Sequence, residues 1–287
     1  MIDMPKGYAD LHLHTTASDG TQTISELVRR AKALSFSAIA ITDHDTLSPE
    51  LSRPVERLDG MEVITGIEIK VDFDGVRGEL LAYFVDPSSE ELRSFLERMA
   101  DARRLRMERM VERCREETGV PIEMADVRAL AQRSIGRPHL ASVLVEKGIV
   151  GSMDEAFAEL IGDGRPCYVP IEKAGFREVT ETIHRAGGVA SLAHPGLMKV
   201  GDWAGFLDTI REGGVDAIEV FYPYELSSIR PSIEPRLLPM MAQERGFLLT
   251  GGSDDHGPGS GKARLGAIRL PYERVIALKD ALPARNP

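Results

Sequence analysis

Five of the chain's seven histidines stand in four short motifs: His12 and His14 in DLHLHTTASDG, His44 in ITDHDT, His194 in SLAHPG and His256 in GGSDDHG. The same motifs carry Asp19, Asp43, Asp45, Asp254 and Asp255, and the segment ITGIEI adds Glu68. Imidazole nitrogens and carboxylate oxygens without thiolates suit Zn²⁺, Mn²⁺ or Fe²⁺. Residues i and i+2 of a strand point the same way, so His12 and His14 can grip one ion from one side. Asp254 and His256 repeat that spacing if their strand extends through them. The donors outnumber what one ion accepts, which points to a multinuclear site. A lone HxH also arises in ordinary strands; the signal is the set of histidines gathered at successive strand ends.

Each motif falls at or just beyond the C-terminal end of a predicted strand, where α/β folds place their chemistry. The pattern predicts strands over 8–14, 37–42, 61–73 and 79–85, the last two joined by a turn at Asp74-Gly75. Thr23-Ile-Ser-Glu26 forms a capping box that opens a helix with Ile24, Leu27, Val28, Ala31 and Leu34 on one side. From about Pro87 to Pro170 the rhythm becomes helical only: a long charged helix over 89–118, then segments near 124–132, 138–147 and 153–161. Strands at 188–193, 217–221 and 247–251 then alternate with helices at 176–186, 203–212 and 232–245. The expectation is a mainly parallel sheet, open or closed into a barrel, interrupted by an all-helical insertion. The tail after Leu282 is expected to fray.

The 287 residues carry 35 Lys and Arg against 45 Asp and Glu, a formal charge of −10. Without a basic run, the chain is a poor candidate for membrane surfaces or long duplex nucleic acid, both of which need a positive footprint. Cys114 and Cys167 lie far apart, which excludes a thiolate zinc site and fits a reducing compartment. No apolar run approaches the ~20 residues that span a bilayer. The reading is a cytoplasmic protein.

With these motifs in view, the sequence resembles the polymerase and histidinol phosphatase (PHP) family of metal-dependent phosphoesterases. The likeness is nearest to the subgroup of nucleoside 3′,5′-bisphosphate phosphatases and RNase AM-like enzymes, on SIGRPHLASVLVEKGIV and GRPCYVP. It implies an α/β fold, a distorted (β/α)7 barrel of the PHP type, formed by residues 1–86 and 171–287. An all-helical insertion at 87–170 would cap the active site. It also implies two to three divalent ions. His12, His14, Glu68 and Asp254 would hold the first; Glu68 would bridge to a second that takes His194; Asp19, His44 and His256 would hold a third. Where relatives carry a histidine at the start of the fourth strand, this chain has Glu79, in Glu79-Leu80-Leu81-Ala82-Tyr83. An oxygen donor there favours Mn²⁺ or Mg²⁺ over Zn²⁺.

Ions about 3.5–4 Å apart can bind a phosphate between them and bring a bridging water toward neutral pKa. The expected reaction is in-line attack of that bridging hydroxide on phosphorus, with His194, His256 and Asp254 as the candidate catalytic side chains. Arg137 and His139, in GRPH, open a predicted helix whose free N–H groups favour anions, and the resemblance makes Arg103 and Arg106 further phosphate ligands. On the long helix, each of these two also reads simply as a solvated charge. The substrate expected is the 3′-phosphate of a nucleoside 3′,5′-bisphosphate or a short RNA 5′ end. Alternatives are a cyclic-phosphate or sugar-phosphate phosphoesterase, a catalytically silent metal-bound module that binds a nucleotide or protein, and a similar metal barrel that hydrolyses C–N bonds.

Overall fold

The computed structural model describes residues 7–130, 135–171 and 173–282. The strands are β1 (Tyr8–Leu13), β2 (Phe36–Ile41), β3 (Val55–Leu58), β4 (Met61–Phe73), β5 (Val76–Tyr83), β6 (Ala174–Gly175), β7 (Val189–Leu192), β8 (Ala217–Phe221), β9 (Leu248–Gly251) and β10 (Leu270–Pro271). The helices are α1 (Ile24–Ala33), α2 (Glu90–Thr118), α3 (Met124–Leu130), α4 (Arg137–Glu146), α5 (Met153–Ala156), α6 (Phe176–Arg185), α7 (Trp203–Glu212), α8 (Leu238–Glu244) and α9 (Glu273–Asp280). The chain divides into two compact units, residues 1–95 with 173–287, and residues 96–172.

In the first unit the sheet runs β1-β2-β4-β5-β7-β8-β9, with β10 on the far edge of β1. Beyond β9, Leu13 and Asp255 form a parallel bridge and the His14 N–H donates to the Asp255 carbonyl at 3.0 Å, so the two ends of the sheet meet in a nearly closed barrel. The β1–β2, β7–β8 and β8–β9 pairs are parallel across connections that contain α1, α7 and α8, and β2–β4 is parallel across a connection that contains β3. β5 is antiparallel to both β4 and β7, as the hairpin expected at Asp74-Gly75 requires for the β4–β5 pair. The cause is the tight turn at Asp74-Gly75, where both residues adopt φ near +50° and +98° and reverse the chain. β5 therefore presents its N-terminal half, with Glu79, to the barrel end where its parallel neighbours finish.

Alternate residues of β2 feed two apolar clusters. Ala38 and Ala40 join Leu11, Ile64 and Tyr83, with Val275 and Leu278 of α9 closing that cluster. Ile39 and Ile41 pack with Leu13, Val63 and the buried face of α1. Each fully buried Leu or Ile contributes about 1.5–3 kcal/mol. The α1 cap forms as expected: Thr23 accepts from the Glu26 N–H, and Glu26 returns a bond from the Thr23 N–H at 2.9 Å. After α6, Gly187 in the left-handed region ends the helix, its N–H donating to the His184 carbonyl at 2.9 Å.

The second unit contains only helical elements among its described residues, around a core of Met107, Met110, Cys114, Val127, Leu140, Leu144 and Cys167. The expected helix over 153–161 changes at Phe157 into a π-helical turn, Phe157–Ile161. The end of the segment predicted at 124–132 lies outside the described residues. The helix predicted over 232–245 is shorter: Pro235–Leu237 forms a 3₁₀ turn before α8. Pro239 supplies no N–H, and its ring crowds the residue-235 carbonyl. β3, β6, β10 and α9 were not anticipated; three are short edge pieces with little periodicity. No helix among the described residues is long and apolar enough to cross a membrane.

Candidate metal centre

The parallel strands deliver their histidines and acids to one end of the barrel unit. His12 lies in β1 and His14 just past it; His44 follows β2, Glu68 lies in β4, Glu79 in β5, His194 follows β7, and Asp254 and His256 follow β9. β9 stops at Gly251 and Asp254 has φ +53°, so the strand does not extend through Asp254 and His256. That corrects the expected i, i+2 geometry. Asp254 turns toward His12 and His14, whereas His256 groups with His14, Asp19 and His44. His194 is also left-handed, at φ +25° before Pro195. Two non-glycine residues in such conformations cost about 1–3 kcal/mol each, and strain of this kind gathers at functional sites.

Glu68 is the hub. Its Oε2 lies 3.3 Å from His12 Nε2, 3.4 Å from His14 Nε2 and 2.9 Å from His44 Nδ1. Its Oε1 lies 2.9 Å from His194 Nε2, which is 3.2 Å from Glu79 Oε2. Asp254 Oδ1 lies 3.3 Å from His14 Nε2 and 3.8 Å from His12 Nε2. Asp19 reaches His256 Nε2 at 3.3 Å and His44 Nε2 at 3.7 Å. Donor sets able to hold an ion are His14, Asp19, His44 and His256; His12, His14 and Asp254; His12, Glu68 and His194; and His44, Glu68 and Glu79. All nine expected ligands thus converge.

The polar atoms at the centre test whether divalent ions belong there. His12 Nε2, both ring nitrogens of His14, His44 Nδ1 and Glu68 Oε2 are buried without a hydrogen-bond partner. An orphaned buried polar group costs about 1–3 kcal/mol. Five of them pointing into one another's space, all of metal-ligating type, fit divalent cations. The charges agree. Burial depresses imidazole basicity, but Glu219 and Glu68 outweigh it at His12, and Glu68 and Glu79 raise His44 to about 9 and His194 to about 10. His14 falls to about 3 through burial and the neighbouring His44 and His256. Burial works against ionised carboxylates too, yet the histidines hold Glu68 and Asp254 well below the usual range. Protons stand where cations would.

Glu219, a buried acid in the apolar strand AIEVF, was missed. Its Oε1 lies 3.0 Å from His12 Nδ1, and its Oε2 accepts the His194 N–H at 2.7 Å. A carboxylate on one ring nitrogen fixes the tautomer and leaves the other for an ion. The available signal was a charged residue inside an otherwise apolar strand, the feature that Glu68 shares. Tyr222 donates to Asp254 Oδ2 at 2.9 Å, and its ring meets His194 edge-on at 5.4 Å. Asp43, Asp45 and Asp255 support loops: Asp43 accepts from Thr15 and Ser18, Asp45 from the Lys70 N–H, and Asp255 from Arg30 and from the Arg264 and Leu265 N–H groups.

The expected phosphate ligands lie in the helical unit. Arg137 opens α4, donates to Asp163 Oδ1 at 2.8 Å and lies over the rings of Phe157 and Tyr168, 5.5 Å from each. Arg106 donates to the Val169 carbonyl at 2.6 Å and lies 5.4 Å from the centre of the same Tyr168 ring. Burial and the nearby Arg137 cation lower the Arg106 pKa. The His139 Nδ1 accepts the Gly136 N–H at 3.0 Å, leaving Nε2–H as its donor. Arg103 is half-buried on α2.

Residues 10–195 match the model of the PHP domain. The chain belongs to the PHP family. Over 193 residues it is 34% identical to a 5′-3′ exoribonuclease of Haemophilus influenzae, covering 67% of this chain and 70% of that one. Over 272 residues it is 28% identical to the 3′,5′-nucleoside bisphosphate phosphatase of Chromobacterium violaceum, covering 90% of each. A solved structure of a candidate metal-dependent phosphoesterase from Bifidobacterium adolescentis superposes with a TM-score of 0.73 at 32% identity over 96% of both chains. This PHP protein is a metal-dependent hydrolase of phosphate esters, on a mixed α/β fold whose sheet nearly closes into a barrel.

Proposed function

We propose that this PHP phosphoesterase removes the 3′-phosphate of nucleoside 3′,5′-bisphosphates or acts on short RNA 5′ ends, using two to three divalent ions. The observation that carries the phosphoester chemistry is the buried, unpartnered donor set around Glu68. The likeness to the bisphosphate phosphatase over 90% of both chains supports the substrate class. The acidic chain, at −10, favours a small ester over a long nucleic acid.

His12, His14, Glu68 and Asp254 would hold one ion, Glu68 with His194 and Glu79 a second, and Asp19, His44 and His256 a third. The chemistry supplied by divalent ions in such a site is Lewis-acid activation of water and charge neutralisation at phosphoryl oxygens. The chain's own groups do the rest. Glu219 orients His12 and, through its second oxygen, the His194 backbone. Tyr222 fixes Asp254. Arg137 and Arg106, both set against the Tyr168 ring, are the proposed phosphate ligands of the helical unit, with His139 Nε2–H and Arg103 as further donors. Two free, buried cysteines suit a reducing cytoplasm.

A screen of Mn²⁺-loaded protein for phosphate release tests this reading, using nucleoside 3′,5′-bisphosphates, 5′-phosphorylated oligoribonucleotides, cyclic phosphates and sugar phosphates. Preferred release from the bisphosphate or the RNA end is expected. Preference for a cyclic or sugar phosphate would move the substrate class, and no release from any ester would overturn the reading.

A further inference from the structure

Asp254 is only 2% exposed and divides its carboxylate between two sides. Oδ1 faces the imidazoles of His12, His14 and His256. Oδ2 accepts from the Tyr222 hydroxyl at 2.9 Å and from Lys262 Nζ at 2.9 Å. Arg264 stands behind: it donates to the Tyr222 oxygen at 3.0 Å and to the Leu226 carbonyl at 2.9 Å, and its side chain is only 9% exposed. These cations differ in freedom. Arg264 is largely covered and bonded twice, so it positions Tyr222. Lys262 is 42% exposed and carries a compact ammonium on a flexible stem.

The loop explains how Lys262 arrives there. Gly257, Gly259 and Gly261 all take left-handed φ, near +84°, +83° and +81°, and the His256 N–H donates to the Lys262 carbonyl at 3.0 Å. A side chain at Gly257 would strike the Thr21 hydroxyl at 2.4 Å. The chain therefore folds straight back from the ligand His256 and sets Lys262 beside the ligand Asp254.

We infer that Lys262 is a phosphate-binding residue supplied by the barrel itself, parked on Asp254 until a terminal phosphate takes it over. Its departure leaves Oδ2 satisfied by Tyr222, so no buried acceptor is orphaned. Ions held by His12, His14 and Asp254 Oδ1 would share the carboxylate's charge and so loosen its hold on the Lys262 ammonium. The ligand class is a phosphate dianion: the reacting phosphoryl group of a monoester, or inorganic phosphate as product. The inference rests on the phosphoesterase reading and names one more contact for the same substrate.

Calorimetric titration of Mn²⁺-loaded protein with inorganic phosphate, alongside metal analysis, tests it on wild type, Lys262→Met and Lys262→Arg. The expected result is phosphate binding weakened about tenfold or more in Lys262→Met, largely restored in Lys262→Arg, with wild-type metal content in both. Wild-type phosphate affinity in Lys262→Met would overturn the inference and leave the phosphoesterase reading intact. Loss of metal together with phosphate affinity would make Lys262 a support for Asp254 only, and would also overturn it. A wild type that binds no phosphate would count against the phosphoesterase reading itself.

Discussion

The two units handle charge in opposite ways. In the barrel unit, His12, His14, Glu68, Glu219 and Asp254 are buried and crowd one another, with donor atoms left unpartnered. In the helical unit the core is apolar, and charges pair near the surface, as Arg104 does with Glu108 at 2.9 Å and Lys147 with Asp126 at 2.9 Å. Surface pairs of that kind contribute about 0–1 kcal/mol. A buried carboxylate without compensation costs several kcal/mol. A fold tolerates the first arrangement only if something cationic completes it. The barrel end is built for ions, whereas the helical unit is built to stand and to offer a few guanidiniums.

The contrast can be broken at several points. Glu68→Gln, which removes the shared charge, should cut phosphate release by more than ~100-fold, beyond the 10–100-fold effect of an outer-shell partner. Steady-state kinetics would check it, and retention of most activity would place the chemistry elsewhere. Glu219→Gln should fall within that ~10–100-fold range and weaken metal binding, because His12 loses its orienting carboxylate. Removing Arg137 as Arg137→Ala should raise KM for a small phosphate ester about tenfold with kcat much less changed; unchanged kinetics would remove it from substrate binding. The smallest effect concerns protons. His44 and His194 sit near 9 and 10 in the ion-free centre, so at neutral pH both carry protons that ions must displace. Metal binding should release protons and tighten as pH rises toward that range. Calorimetry in buffers of different ionisation enthalpy reads the release directly; ion uptake without proton release would contradict the charge assignment.

Much of the centre was legible because its donors come in motifs at strand ends. His14, His44, His194, Asp254 and His256 stand where an apolar strand gives way to a polar turn, whereas His12 lies near the end of β1 and Glu68 in the middle of β4. Glu79 was visible only through the resemblance, since an acid on a half-exposed hairpin strand carries no signal of its own. Glu219 left only a weak signal, one acid within an apolar five-residue strand, which does not say which histidine it serves. The left-handed turn at Asp254, which sends two neighbouring ligands to different groups, depends on backbone geometry that residue spacing does not encode. The barrel's parallel strands followed from alternation with helices, but the reversal of β5 rested on one Asp-Gly turn. In the helical unit the apolar periodicity found the core, while arginines on a charged helix look alike whether they bind phosphate or water. Their partners, Tyr168 for Arg106 and Asp163 for Arg137, come from distant segments.

The central claim is that the crowded acids and imidazoles form one multinuclear centre organised by Glu68. Metal stoichiometry measured by native mass spectrometry after loading with Mn²⁺, on wild type and Glu68→Gln, tests it most directly. Two to three ions per chain in the wild type, with at least one lost in Glu68→Gln, is the predicted result. A wild type holding one ion or none, or a Glu68→Gln protein that keeps the full complement, would contradict it.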